Sequence, residues 1–155
     1  MADYVYRAAY EFEWEEIMDL AWRTFEEFEA PEYPEEGINN FREFVTDETL
    51  YKMFVNGAYQ VFVALDGEKL IGMISLRDVR HISLLFVDKD YHRKGVGRGL
   101  VNHLREYMYC EMGQTFVTVN AAPYAEGFYH KLGFKDTGRR TLLDGIIFTP
   151  MQLVL

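Results

Sequence analysis

The segment His92-Arg93-Lys94-Gly95-Val96-Gly97-Arg98-Gly99 sets three alternating glycines behind a run of basic side chains. An apolar stretch ends just before it at Val87, and a stretch with helical spacing follows, so it reads as a strand-to-helix turn. Glycine allows backbone conformations and close approaches that a Cβ forbids. The unpaired N–H groups of a first helical turn, at the positive end of the helix dipole, attract anions. The chemistry predicted is the holding of a pyrophosphate. A dinucleotide fingerprint needs G-x-G-x-x-G and a later acidic residue; here the spacing is G-x-G-x-G, and Asn120 stands near the place of the acid. The P-loop string G-x-x-x-x-G-K-[ST] does not occur. Taken alone, the turn also reads as an ordinary structural corner.

A second segment, Phe116 to Phe134, narrows that choice. Phe116 to Asn120 alternates like a strand, Pro123 breaks it, and Tyr124 to Leu132 suits a short helix closed by Gly133. The string His92-x-x-Gly95-x-Gly97 resembles the acyl-CoA-binding motif of the GNAT superfamily, the Gcn-related N-acetyltransferases, although Gln or Arg is usual where this chain has His92. Asn120, Ala125, Phe128-Tyr129 and Leu132-Gly133-Phe134 are similar, in order, to the second half of the same family's site. With the strands around them, the two motifs extend the resemblance from Tyr59 onward.

The resemblance implies acetyl-CoA as co-substrate and transfer of its acetyl group by direct attack of an amine on the thioester. It would place the pantetheine arm along the backbone of Phe86 and Val87, with Arg93, Lys94, Gly95, Val96, Gly97 and Arg98 around the pyrophosphate and Asn120 reaching the arm from the neighbouring strand. A backbone N–H of the first strand would polarise the thioester carbonyl. Tyr129 aligns with the tyrosine that protonates the departing thiolate; Tyr124, another phenol at the start of the same helix, competes for that role. His81 stands where some members carry a glutamate base, and a group titrating near about 6.5 can take a proton there. It reads equally as a strand-start residue. Ser83, two residues on, faces the same side of the strand. The acceptor pocket falls to the segment around Phe28, Glu29 and Tyr33, whose aromatics and carboxylates suit an ammonium and also suit a plain acidic loop. A small-molecule amine is the favoured acceptor. A protein lysine or N-terminus, or a CoA-binding regulatory module without turnover, stand as alternatives.

These residues need a frame. Tyr4–Tyr10 reads as a strand, Trp14–Glu29 as an amphipathic helix, and Glu35–Val45 and Glu48–Phe54 as shorter helices. Tyr59–Leu65 and Leu70–Arg77 flank an Asp66-Gly67 turn, and Ile82–Val87 continues the meander. The glycine turn opens a helix to about Cys110, read as a helix-packing residue, and Lys135–Leu142 and Gly145–Leu155 are final strands. The expected fold is α/β with a mixed α+β sheet: a GNAT-like domain over residues 1–155, with a central twisted sheet of about six or seven strands and helices on both faces. The first 50 residues hold 15 of the 25 acids and 3 of the 16 bases, which disfavours nucleic acid. This acidic half is either a solvated face or an attractor of a cationic amine. There is no apolar run of about 18 residues, so no membrane partner is expected. The opening MADYVYRAAYEFEWEE lacks the pattern of a secretory leader, and with a single cysteine this points to the cytoplasm. The four histidines have no metal-ligand spacing, so no metal is expected. The apolar last strand either closes the sheet or pairs across a homodimer.

Overall fold

A computed structural model describes residues 3–155. Met1 and Ala2, which begin the segment read for a leader, lie outside the described residues. Strand β1 (Val5–Ala8) leads through a short 3-10 turn into α1 (Trp14–Phe28), then α2 (Glu35–Val45) and α3 (Glu48–Val55). Three strands follow as a meander: β2 (Gln60–Asp66), β3 (Lys69–Arg77) and β4 (His81–Val87). Helix α4 (Val96–Cys110) leads to β5 (Phe116–Ala121), and α5 (Glu126–Lys131) leads to β6 (Lys135–Asp136), β7 (Thr141–Leu143) and β8 (Ile146–Val154). The strands form one mixed sheet in the order β1-β2-β3-β4-β5-β8-β6, with β7 also on β8.

Each face of the sheet carries its own apolar layer. Ile17, Leu20, Ala21 and Phe25 recur at helical spacing along α1 and are buried against Val63, Met73 and Phe86, with α2 and α3 beside them. On the opposite face Leu100, Val101, Leu104 and Met108 of α4 bury against Ile71, Ile74 and Val117, and α5 adds Tyr129. Burial of this kind stabilises by roughly 25 cal/mol per Å² of apolar surface, which is what fixes α4 and α5 to the sheet. No helix of the described residues is long and apolar enough to cross a membrane.

Four readings of the sequence need correction. The strand expected over Lys135–Leu142 is split into β6 and β7. The break lies opposite Pro150 of β8, which has no N–H to give the ladder. The sheet accordingly has eight strands where six or seven were expected. The helix expected from Tyr124 begins as a 3-10 turn, Pro123–Ala125, before turning α-helical at Glu126. Cys110 is exposed and packs against nothing in the core. Strand β8 lies inside the sheet, between β5 on one side and β6 and β7 on the other, so the chain covers both its edges itself.

Two irregularities in β4 create the working space. It pairs in parallel with β5 at only two positions, His81↔Thr118 and Ile82↔Val119, and the strands then part. Against β3 the register runs Leu76↔Ile82 and then Ser75↔Leu84, so Ser83 is the extra residue of a β-bulge. The bulge turns Ser83 and Leu84 to the same face of the sheet: Ser83 bonds Tyr59, and Leu84 packs in the layer beneath α1.

Candidate active site

The glycine turn has the local geometry of an anion site. Asp88 N–H still bonds Ile71 O of β3 at 2.8 Å, after which the chain leaves the sheet. Gly95 caps α4 at φ 82°, a left-handed conformation that glycine adopts without strain. The first helical bond runs from Gly99 N–H to Gly95 O at 2.9 Å, which leaves the amides of Val96, Gly97 and Arg98 at the open end of the helix. Arg93, Lys94 and Arg98 are exposed around that end. Exposed cations beside free helix-end amides form a donor set that fits the pyrophosphate of a CoA ester.

The other two glycines also make room for the protein's own side chains. A Cβ at Gly97 would lie 3.1 Å from the Phe128 ring of α5, and one at Gly99 would collide with Tyr6 of β1. Gly95 thus shapes the backbone, while the bare Cα of Gly97 and of Gly99 lets neighbouring elements close in, and the Gly97 amide stays at the open helix end. His92 is fixed on the turn. Its Nε2 meets Val87 O at 2.7 Å, and its ring lies 4.7 Å from that of Phe28.

Of the pair Phe86 and Val87, only Val87 turns its backbone toward the splay, where its N–H is open to an arm while its C=O already meets His92 Nε2. Antiparallel ladders alternate, and Asp88 N–H bonds β3, so Phe86 also turns its N–H and C=O to β3 and Val87 turns its own away. The Phe86 carbonyl indeed lies beside Gly72 of β3. Phe86 contributes its buried ring instead.

A cleft of about 500 Å³ runs through the splay. It gathers Glu29, Tyr33, His81, Ser83, Phe86, Asn120 and Tyr129, all singled out in the sequence. Phe28 and the glycine turn lie outside its lining: Phe28 lies tilted against His92 and stacks on Tyr124, whose ring is 5.6 Å away, beside the glycine turn. The sequence did not disclose the far wall, made by Asn40 and Phe44 of α2 and by Asp144, Ile146 and Phe148 around the turn between β7 and β8. Those residues are over 100 positions apart and carry no shared local motif.

Burial sets the proton affinities. Glu29, at the end of α1, is pushed up to about 7, first by desolvation and then by the Glu32 charge, against a long 3.5 Å bond from Tyr33. Tyr129 is buried and forms no hydrogen bond with another described residue; desolvation, and then the Glu29 charge, hold its phenol well above the usual range. Tyr124 is half exposed, and its hydroxyl lies 3.5 Å from His92 Nδ1. Burial and the Arg77 charge lower His81, so its imidazole is neutral at pH 7. His81 Nδ1 lies 2.8 Å from Thr118 Oγ1, and Arg80 O lies 3.4 Å from the same hydroxyl. With the imidazole proton on Nδ1, Nε2 would be an acceptor; with Thr118 donating to Nδ1, Nε2 would carry the proton. Thr118 is a partner the sequence did not reveal, because it faces His81 only across the parallel pair. His103 is partly buried, edge-on to Phe62, whereas His130 is exposed and pairs with Asp136 at 2.6 Å. No group of three or more metal-ligating side chains occurs among the described residues.

The acetyltransferase (GNAT) domain model matches residues 29–155. The chain is similar to the peptidyl-lysine N-acetyltransferase YjaB of Salmonella typhimurium, at 32% identity over 97 residues, 63% of this chain and 64% of that protein. It thus spans less than two thirds of the length of this curated relative. In fold it is similar to a GCN5-related N-acetyltransferase from Rhodopseudomonas palustris, with TM-score 0.85, 23% identity, and coverage of 100% of this chain and 98% of that one. It is also similar to the spermidine N-acetyltransferase of Vibrio cholerae in complex with CoA and spermine, with TM-score 0.71, 21% identity, and coverage of 97% and 95%.

Proposed function

The chain belongs to the GNAT acetyltransferase family, and from that premise we propose that it transfers the acetyl group of acetyl-CoA to a primary amine, with a small-molecule amine as acceptor. The observation that carries this reading is the convergence of Glu29, His81, Asn120 and Tyr129 on one cleft at the splay of β4 and β5. The free amides of α4 and the Arg93, Lys94 and Arg98 charges would hold the pyrophosphate, and the outward backbone of Val87 and the Asn120 amide would line the arm. In the spermidine enzyme the bound molecules are CoA and spermine, which supports the same pair of ligand classes here.

An alkylammonium has a pKa near about 10.4 and must lose a proton before it can attack. Glu29, facing the cleft without a cationic partner, would draw the ammonium in. The neutral His81, in the tautomer that leaves Nε2 free, would take the proton. The N–C bond forms and the C–S bond breaks, the sulfur leaving with the electron pair. Tyr129 supplies the proton that the thiolate takes up, and the second proton shed by the nitrogen as it becomes an amide returns the phenol to its protonated form. A phenol held protonated at every working pH is always loaded, and a thiolate leaving into the same apolar surroundings is itself made more basic.

The similarity to a peptidyl-lysine acetyltransferase favours one second reading, a protein lysine as acceptor, which the open end of the cleft would have to admit. Incubation with acetyl-CoA and a panel of polyamines, aminoglycosides and lysine peptides, following free thiol, tests both. Small amines should release thiol at the highest kcat/KM; preferential release with peptides would transfer the assignment to the second reading. Saturable CoA binding with no release would leave a binding module.

A further inference from the structure

Behind the bulge of β4 lies a buried chain of hydroxyls that the transfer reaction described above does not use. Tyr59 and Ser75 are both fully buried. The Tyr59 hydroxyl lies 2.6 Å from Ser75 Oγ and 3.0 Å from Ser83 Oγ, and Ser75 Oγ accepts the Leu84 N–H at 3.1 Å. Each hydroxyl has one hydrogen, and if Tyr59 accepted from both serines its own buried hydrogen would have no partner, so two directions remain for the chain. If Ser83 donated to Tyr59 and Tyr59 to Ser75, Ser75 would accept twice and its own hydrogen would be left buried without a partner. Such an orphan carries the full desolvation penalty of a buried polar group, with nothing to offset it. In the opposite direction Ser75 donates to Tyr59 and Tyr59 donates to Ser83, and every buried hydrogen is used. The one left over belongs to Ser83, which lines the cleft.

We propose that Ser83 is a catalytic hydrogen-bond donor to the acyl carbonyl oxygen, its hydroxyl hydrogen turned into the cleft by the buried relay from Ser75 through Tyr59. The inference rests on the acetyl-transfer reading. As the amine nitrogen bonds to the carbonyl carbon, the π pair moves onto oxygen, and the Ser83 O–H bond is aimed at that growing charge. The pair returns as the C–S bond breaks, and the Ser83 hydrogen stays on Ser83 throughout. A donor fixed in a partly dry site before the reaction needs no reorganisation, which makes it stronger than the same group in water. Consecutive hydroxyls also polarise one another, so the last in the line is the best donor. Tyr59 and Ser75 act through Ser83 and are positioning residues.

Two readouts test this on the whole chain. Ser83→Ala should lower kcat by about 10²-fold, as loss of one oxyanion donor does, while acetyl-CoA affinity stays within about threefold. Isotope-edited infrared spectra of bound [1-13C]acetyl-CoA should show the carbonyl band at lower frequency in the wild-type protein than in Ser83→Ala. Tyr59→Phe should shift the band part of the way, Ser75→Ala serving if that variant does not fold, and neither should shift it further in the Ser83→Ala background. An unchanged band in Ser83→Ala with acetyl-CoA bound overturns the role of Ser83 alone. Failure of the wild-type protein to bind acetyl-CoA would overturn the acetyl-transfer reading and this proposal with it.

Discussion

Tyr129 and Glu29 sit in one cleft, and the Glu29 charge adds to burial in raising the proton affinity of the Tyr129 phenol. Replacing Tyr129 with Phe keeps the ring that packs 5.1 Å from Phe134 and removes only the proton, so kcat should fall by about 10²–10⁴-fold with CoA affinity unchanged. Unaltered turnover would take Tyr129 out of the mechanism and leave Tyr124 as the phenol to test. For Glu29 the sign follows from its carboxyl being held up to about 7 in the fold, against 4.5 ordinarily. The folded chain keeps a proton that the unfolded chain has lost. Stability from this group is therefore complete below pH 4.5, declines as pH rises to 7, and is level above. Glu29→Gln should abolish that decline in melting temperature and raise the amine KM by about 10–100-fold through loss of a charged partner. It should also remove the limb of kcat/KM that rises through pH 7. If the variant keeps the limb and KM, another group meets the ammonium. The phenol and the carboxylate were both legible in the sequence, Tyr129 through a contiguous motif and Glu29 through its aromatic neighbours. Thr118, Ser75 and Tyr59 were not, because their meaning depends on which strand lies beside which.

Strand β4 and helix α4 form the site by departing from regularity at different points. The meander, the glycine turn and the two motif helices were readable from periodicity and glycine placement, since each depends on residues within a few positions of one another. The bulge at Ser83 and the short two-position pairing with β5 were not, because alternation in HISLLFV alone predicts an unbroken strand. Gly97 shows how a local motif can be read correctly and one of its reasons missed. Its absent Cβ makes room for Phe128, the neighbour of Tyr129, so Gly97→Val should push α5 away from α4. Overpacking of this kind costs about 1–3 kcal/mol, which in a chain of this size lowers the melting temperature by several degrees. CoA affinity and kcat should fall together, and Phe128→Leu in a Gly97→Ala background should restore both. Lost CoA binding at full thermal stability, with no rescue, would return Gly97 to direct contact with the ligand.

Helix α2 and the turn between β7 and β8 meet over one side of the cleft, which local sequence patterns could not disclose. Gly37 of α2 abuts Gly145 in the turn between β7 and β8, where any side chain on either would collide with the other's backbone. Asn40 donates from Nδ2 to Asp144 O at 2.7 Å, and the Tyr33 hydroxyl, with one hydrogen to share between Ile147 O at 3.4 Å and Glu29 at 3.5 Å, lies beside the same strand. The acidic helices and the carboxyl-terminal hairpin thus form one wall, while the basic glycine turn stands at the opposite end of the splay. Under the proposed function the two substrates would take separate walls, and their binding would then be separable. Asn40→Ala removes one hydrogen bond worth about 1 kcal/mol and should raise the amine KM about fivefold, leaving CoA affinity as it was. Gly145→Ala, strained at φ 76° and pressed against α2, should act in the same direction and more strongly, with faster hydrogen exchange confined to β7 and the start of β8. If either substitution weakened CoA binding as much as amine binding, the hairpin would be supporting the whole splay and the division of the cleft into two walls would be wrong.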